Sequence, residues 1–135
     1  MDKEGQFRIE LHNQADFRFE VHFPDPAIPP LFTDEGAPIG GGAGPSPSHL
    51  LGTAVANCLA ASLVFALRKY GNEAGPLRVV ADVRNVRNEK GRLRIGHIGV
   101  DLHLAVPGPA IQKLDRILAQ FEDFCVVTQL SLIHI

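Results

Sequence analysis

Apolar and polar residues alternate from Phe7 to Phe23, give way to a nearly unbroken apolar run from Leu50 to Leu67, and alternate again from Leu77 to Val106. In the first stretch Phe7, Ile9 and Leu11 form one row, and Phe17, Phe19, Val21 and Phe23 form another. The polar residues His12 to Asp16 between them predict the turn of an antiparallel hairpin with two half-buried strands. The central run predicts one long helix over 47–69. Ser46 can cap its first turn, and Pro47 suits the first helical position, where its missing N–H is no loss. Arg68 and Lys69 favour the negative end of the helix, and Gly71 can terminate it. Leu51, Val55, Cys58, Ser62 and Ala66 share a face, while Leu50, Leu59, Leu63 and Leu67 fall on others. Such a helix is buried on several sides, so the rest of the chain is expected to wrap it, with Cys58 inside.

After the helix, Leu77, Val79, Ala81 and Val83 alternate with Arg78, Asp82 and Arg84 in a strand reaching about Arg87. Asn88-Glu89-Lys90-Gly91 reads as a hairpin turn. The return strand starts with Leu93 and Ile95 inward, then changes parity to Ile98, Val100, Leu102, Leu104 and Val106. A β-bulge at Gly96-His97 accounts for that change. Pro107-Gly108-Pro109 begins a second helix with the stripe Ile111, Leu114, Ile117, Leu118 and Phe121, ending near Phe124. Cys125 follows at the junction, and Val126 to Ile135 reads as a last strand. Between the first hairpin and the long helix, half of the residues from Pro24 to Pro47 are Pro or Gly, so no regular element is expected there. Leu31-Phe32 anchors this loop, Asp34 and Glu35 form an acidic spot, and the loop could lie over the helix as a lid. The order β-β-loop-α-β-β-α-β predicts a single α+β domain over 1–135, antiparallel hairpins packed on a buried central helix.

Composition narrows the function more than the fold. The chain has 135 residues, 45% hydrophobic and 21% charged, with a formal net charge of -2. That balance gives no electrostatic case for nucleic acid or an anionic membrane. The basic residues between Arg78 and Arg94 read as the solvated side of a strand pair. The polar start, Met1 to Gly5, lacks the apolar core of a signal peptide. Asn57, His49 and the many small residues argue against a membrane span for the long helix. A cytoplasmic protein is expected, with both of its cysteines free. None of the histidines has a close metal-ligand spacing, the glycine run Gly40 to Gly44 is no phosphate-binding motif, and no nucleophile elbow occurs. No metal or cofactor is expected. Taken alone, Cys58 and Cys125 could be buried small hydrophobes or a redox pair, the latter only if they lie within disulfide reach. Cys58 is too deep in its helix to use the amino-terminal dipole, so a nearby cation would have to activate it.

Two motifs carry a resemblance. Gly44-Pro45-Ser46-Pro47, Leu50-Leu51 and Ala54-Val55-Ala56-Asn57-Cys58-Leu59-Ala60 resemble the first cysteine motif of the OsmC/Ohr family, the osmotically inducible and organic-hydroperoxide-resistance proteins. Phe124-Cys125-Val126-Val127-Thr128-Gln129 resembles the second. The similarity spans about residues 17 to 130. It implies an intertwined α+β homodimer with active sites at the subunit interface. It further implies a thiol peroxidase in which Cys58 attacks an organic hydroperoxide and becomes a sulfenic acid, Cys125 resolves it as a disulfide, and an external dithiol reduces the pair. The chain departs from the family's peroxidases at the activating pair. Ser48 stands where they carry glutamate, and no arginine occurs from Phe19 to Leu67. Arg18 or Arg68 is the candidate cation instead, and Asp34, Glu35 and His49 are candidate polar partners. The missing pair also leaves open an OsmC-like protein that binds a small hydrophobic or electrophilic ligand or senses redox state, and a purely structural dimerisation module.

Overall fold

The computed structural model describes residues 5–134. The chain forms two compact units, Met1–Leu50 and Leu51–Ile135.

The first unit is a three-stranded antiparallel sheet in sequence order. β1 (Glu10–Ala15) pairs with β2 (Arg18–His22) through a tight turn at Asp16 and Phe17. Asp16 takes a positive φ of 47° there, a conformation that Asp tolerates better than most residues. The Asn13 side-chain amide donates to the carbonyls of Asp16 (3.0 Å) and Arg18 (3.1 Å), tying the turn to the strand. The hairpin is therefore real but shorter than its alternation suggested, and Phe7, Ile9, Phe17 and Phe23 lie outside the strands. Val21 is buried, whereas Phe7, Ile9 and Leu11 remain exposed within one chain.

The Pro/Gly-rich segment corrects the expectation of no regular element. β3 (Leu31–Thr33) adds to the free edge of β2, with Phe19 opposite Thr33 and Val21 opposite Leu31. Three residues of apolar and β-branched character suffice for an edge strand, and Pro30 precedes it where no ladder bond is needed. The following loop returns against β3. A Cβ on Gly44 would run into the Phe32 carbonyl, so this close approach requires glycine.

α1 (Pro47–Lys69) has the expected bounds. Ser46 caps it, its hydroxyl accepting from His49 N–H at 3.3 Å. Its far end closes in a Schellman arrangement: Gly71 N–H reaches Arg68 O at 3.0 Å, and Asn72 N–H reaches Leu67 O at 2.9 Å. Gly71 has the positive φ, 78°, that this ending requires. In the second unit α1 is the organising element. Leu63, Ala66 and Leu67 pack with Ala74 and Ile117 to form the core. One chain covers only one side of the helix: Gly52, Ala56 and Ala60 are buried, while Leu51 is 45% and Phe65 57% exposed.

β4 (Leu77–Arg87) and β5 (Leu93–Leu104) form a long antiparallel hairpin. The turn rests on Asn88, whose side-chain oxygen accepts from Lys90 and Arg92 N–H, both at 3.0 Å. Arg84 pairs with His97 and Asn85 with Ile95, so Gly96 is the extra residue of the predicted bulge. Its missing side chain is needed, because a Cβ would lie 2.7 Å from Val86 Cγ1.

The segment after β5 differs most from its reading. β5 stops at Leu104 rather than Val106, and the expected single helix is broken into pieces. A short 3-10 turn over Gly108–Ala110 precedes α2 (Leu114–Gln120), and a second 3-10 turn spans Phe121–Phe124. Lys113 interrupts the run with φ 61°. Asn72 secures the break: its side chain accepts from Gln112 N–H and donates to Gln112 O, both at 2.9 Å. The apolar tail is not a strand but α3 (Val126–His134). A continuous apolar run fits either element when read alone, and Cys125, Thr128 and Gln129 supply helix-start contacts that a strand would not use. Ile135, read as the strand's end, lies outside the described residues, as does the polar start before Gly5.

Candidate active site

Cys58 sits mid-way along α1 and is half-buried. Its carbonyl accepts the Ser62 hydroxyl at 2.7 Å, a bond back to the preceding turn that buries the serine's polarity. One turn further on, Phe65 meets Phe124 edge to face, with ring centroids 5.0 Å apart. Cys58, Ala61, Ser62, Phe65 and Phe124 line an open groove of about 360 Å³, the size of a small-ligand pocket. The Lys69 ammonium stands 5.5 Å from the centre of the Phe124 ring at this end of the helix.

Cys125 comes from a later part of the chain. It is the residue between the second 3-10 turn and α3, fully buried, with extended backbone (φ -84°, ψ 99°). Its N–H donates to Glu122 O at 3.1 Å and its carbonyl accepts Gln129 N–H at 3.0 Å, so both backbone groups are satisfied. Burial pushes its thiol up, but hydrogen bonds from the Thr128 hydroxyl and N–H, the Cys58 thiol and Val127 N–H outweigh it. The result lies below the ordinary cysteine range. The Thr128 hydroxyl is also 3.5 Å from the Cys125 carbonyl, too long to compete well for its single proton. The structure thus brings the two cysteines of the sequence reading into hydrogen-bonding contact as free thiols.

The other candidates, Arg68 apart, lie in the first unit. Asp34 is 4% exposed and accepts Glu35 N–H at 2.8 Å and Ala43 N–H at 3.1 Å. The Ala43 amide, helped by those of Glu35 and Gly41 and by Arg18, holds its carboxyl below the usual carboxylate range against the opposing effect of burial. Its visible work is to brace the loop over residues 35–43. Glu35 contributes its backbone to the same brace, its carbonyl accepting Gly42 N–H at 3.0 Å. The Arg18 guanidinium lies over the Phe32 ring at 4.6 Å. His49 Nδ1 accepts Ser46 N–H at 3.0 Å and meets the Ser46 hydroxyl at 2.9 Å, which completes the cap of α1. Arg68 is exposed at the carboxyl end of α1. Among the described residues no group of three or more His, Cys, Asp or Glu is placed to hold a metal.

Sequence reasoning missed Phe65 and Phe124 as groove walls and Thr128 as a donor to Cys125. The spacing Cys125-Val126-Val127-Thr128 carries a helix-start signal, and reading the tail as a strand concealed it.

The family profile described as OsmC-like protein matches residues 40–132, more than half of the chain. No curated protein sequence is matched. Among solved structures, an OsmC-like protein of unknown function from Vibrio cholerae is similar at 10% identity and TM-score 0.74, over 93% of this chain and 92% of that one. An OsmC-like protein from Mycoplasma pneumoniae is similar at 13% identity and TM-score 0.72, over 98% and 89%. The organic hydroperoxide resistance protein OhrB of Bacillus subtilis is similar at 14% identity and TM-score 0.68, over 96% and 92%. At these identities the likeness shows a shared fold: antiparallel strands and a long central helix. On the match across both cysteine motifs, the chain belongs to the OsmC-like protein family.

Proposed function

We propose that the chain is a thiol-dependent peroxidase that reduces organic hydroperoxides in peroxide stress. The observation that carries this reading is the contact between two free thiols beside an apolar groove. Cys58 opens onto the groove and attacks the terminal oxygen of the hydroperoxide. The O–O bond breaks, the alcohol leaves, and Cys58 becomes a sulfenic acid. Cys125 then attacks that sulfur, expelling hydroxide and leaving a disulfide, which an external dithiol reduces. The apolar walls, Phe65 and Phe124, suit the organic part of such a substrate.

The protein acts as a soluble cytoplasmic homodimer. α1 is long and apolar enough to cross a membrane, with a mean hydropathy of 2.0 and only 33% of its apolar window buried in one chain. A second copy laid on the exposed side of α1 would bury Leu51 and Phe65 instead. The groove's openness favours a second reading, an OsmC-like protein that binds a small hydrophobic or electrophilic ligand there. Reduced protein incubated with cumene hydroperoxide and a dithiol separates the two. Turnover is expected, with loss in Cys58→Ser and accumulation of sulfenic acid in Cys125→Ser. Turnover that survives Cys58→Ser would refute the peroxidase reading.

A further inference from the structure

The family's usual activating residues are absent from their positions in this chain, yet Cys58 must lose a proton to attack. The two sulfurs have very different surroundings. Cys125 occupies the N-cap of α3: it has extended backbone, and its carbonyl already accepts the first helical bond from Gln129. A side chain at that position faces the free amides of the first turn, which carry the positive end of the helix dipole. The amides of Val127 and Thr128 and the Thr128 hydroxyl all reach the Cys125 sulfur. Cys58 lies in the interior of α1, where backbone amides are committed to helical bonds, and its own thiol points at Cys125. One sulfur is surrounded by donors and sealed from solvent; the other opens on the groove.

We propose that in the reduced pair Cys125 carries the thiolate and Cys58 the proton, and that Cys125 takes this proton as Cys58 attacks. Cys125 thereby stands in for the absent arginine and glutamate. The placement of the charge is independent of the substrate; the relay rests on the peroxidase reading. In balance, the Cys58 S–H proton passes to the Cys125 sulfur while the Cys58 sulfur bonds to the terminal hydroperoxide oxygen and the O–O bond breaks. The departing alkoxide takes the proton from Cys125, giving the alcohol, a Cys58 sulfenic acid and a Cys125 thiolate once more. That thiolate then displaces hydroxide from the sulfenic sulfur. One hydroperoxide, one thiol and one thiolate become one disulfide, one alcohol and one hydroxide. No further oxidant is used.

The test titrates thiolate by its ultraviolet absorbance in reduced wild-type, Cys58→Ala and Cys125→Ser proteins, and follows oxidation of Cys58 by one equivalent of cumene hydroperoxide at neutral pH by mass spectrometry. Cys125→Ser retains a good N-cap, so α3 is preserved, and circular dichroism checks this. Cys58→Ala is expected to keep the thiolate seen at neutral pH, and Cys125→Ser to lose it. In Cys125→Ser, which lacks the proton acceptor, Cys58 is oxidised to the sulfenic acid about 100-fold or more slowly than the wild-type pair reacts. A thiolate that disappears in Cys58→Ala and persists in Cys125→Ser would overturn the assignment, and an unchanged rate of Cys58 oxidation in Cys125→Ser would overturn the relay. If the titrations come out as expected but cumene hydroperoxide is not turned over, the peroxidase reading fails while the charge assignment stands.

Discussion

Replacing Gly52 by alanine tests how α1 is seated on β4, and the sign of its effect should depend on Val83. A Cβ on Gly52 would lie 2.7 Å from Val83 Cγ2, about 1 Å inside ordinary carbon contact. Overpacking of this kind destabilises by roughly 1–3 kcal/mol, and a β-branched neighbour has few rotamers with which to yield. Against it stands the helix preference of alanine over glycine, about 1 kcal/mol. Overlap therefore wins, and Gly52→Ala should destabilise by about 1 kcal/mol. In a Val83→Ala background the overlap is gone and the preference remains, so the same change should stabilise by about 1 kcal/mol. Val83 is 38% exposed, so its own truncation is mild. The coupling across the cycle is about 2 kcal/mol. Urea unfolding of the four reduced proteins at one protomer concentration measures it. Stabilisation by Gly52→Ala alone, or additivity within about 0.5 kcal/mol, would refute the claim that this contact sets the helix on the sheet.

Two further changes probe bracing contacts, one in each unit. Asn72→Ala removes both bonds to Gln112 and should destabilise by about 1–3 kcal/mol, seen as a lower urea midpoint with unchanged slope. Asp34→Asn keeps the shape but loses the charge that holds the loop amides, so hydrogen exchange at Ala43 should accelerate. Because the folded Asp34 is held below its unfolded value, its stabilisation is complete above about pH 3.9 and fades as the pH falls through the lowered value. The wild type should converge on the variant in acid, and a constant difference between them across that range would contradict the bracing role.

Local signals that agree with packing were legible in the chain. Ser46, Pro47 and Gly71 marked α1 because capping and termination are decided within a few residues. The parity change around Gly96 marked the bulge because strand alternation leaves no other way to keep both halves on one face. The failures came where local preference was divided. Leu31 to Thr33 became a strand only because β2 offered an unpaired edge. Residues 126–134 became a helix because Cys125 and Thr128 could start one at the core, while their apolar run alone suited a strand equally well.

The sequence by itself determined the long helix, the two hairpins and the two cysteine motifs. Each depends on periodicity or on neighbours close along the chain. Only the tertiary structure decided which groups surround each thiol. Cys58 and Cys125 are far apart in sequence, and their contact exists because α1 and the turn before α3 pack on the same core, around Leu67 and Ile117. That packing put the open groove beside one sulfur and the helix amides beside the other. Sequence named the two cysteines; the difference in their surroundings arises from where the fold places the end of a helix.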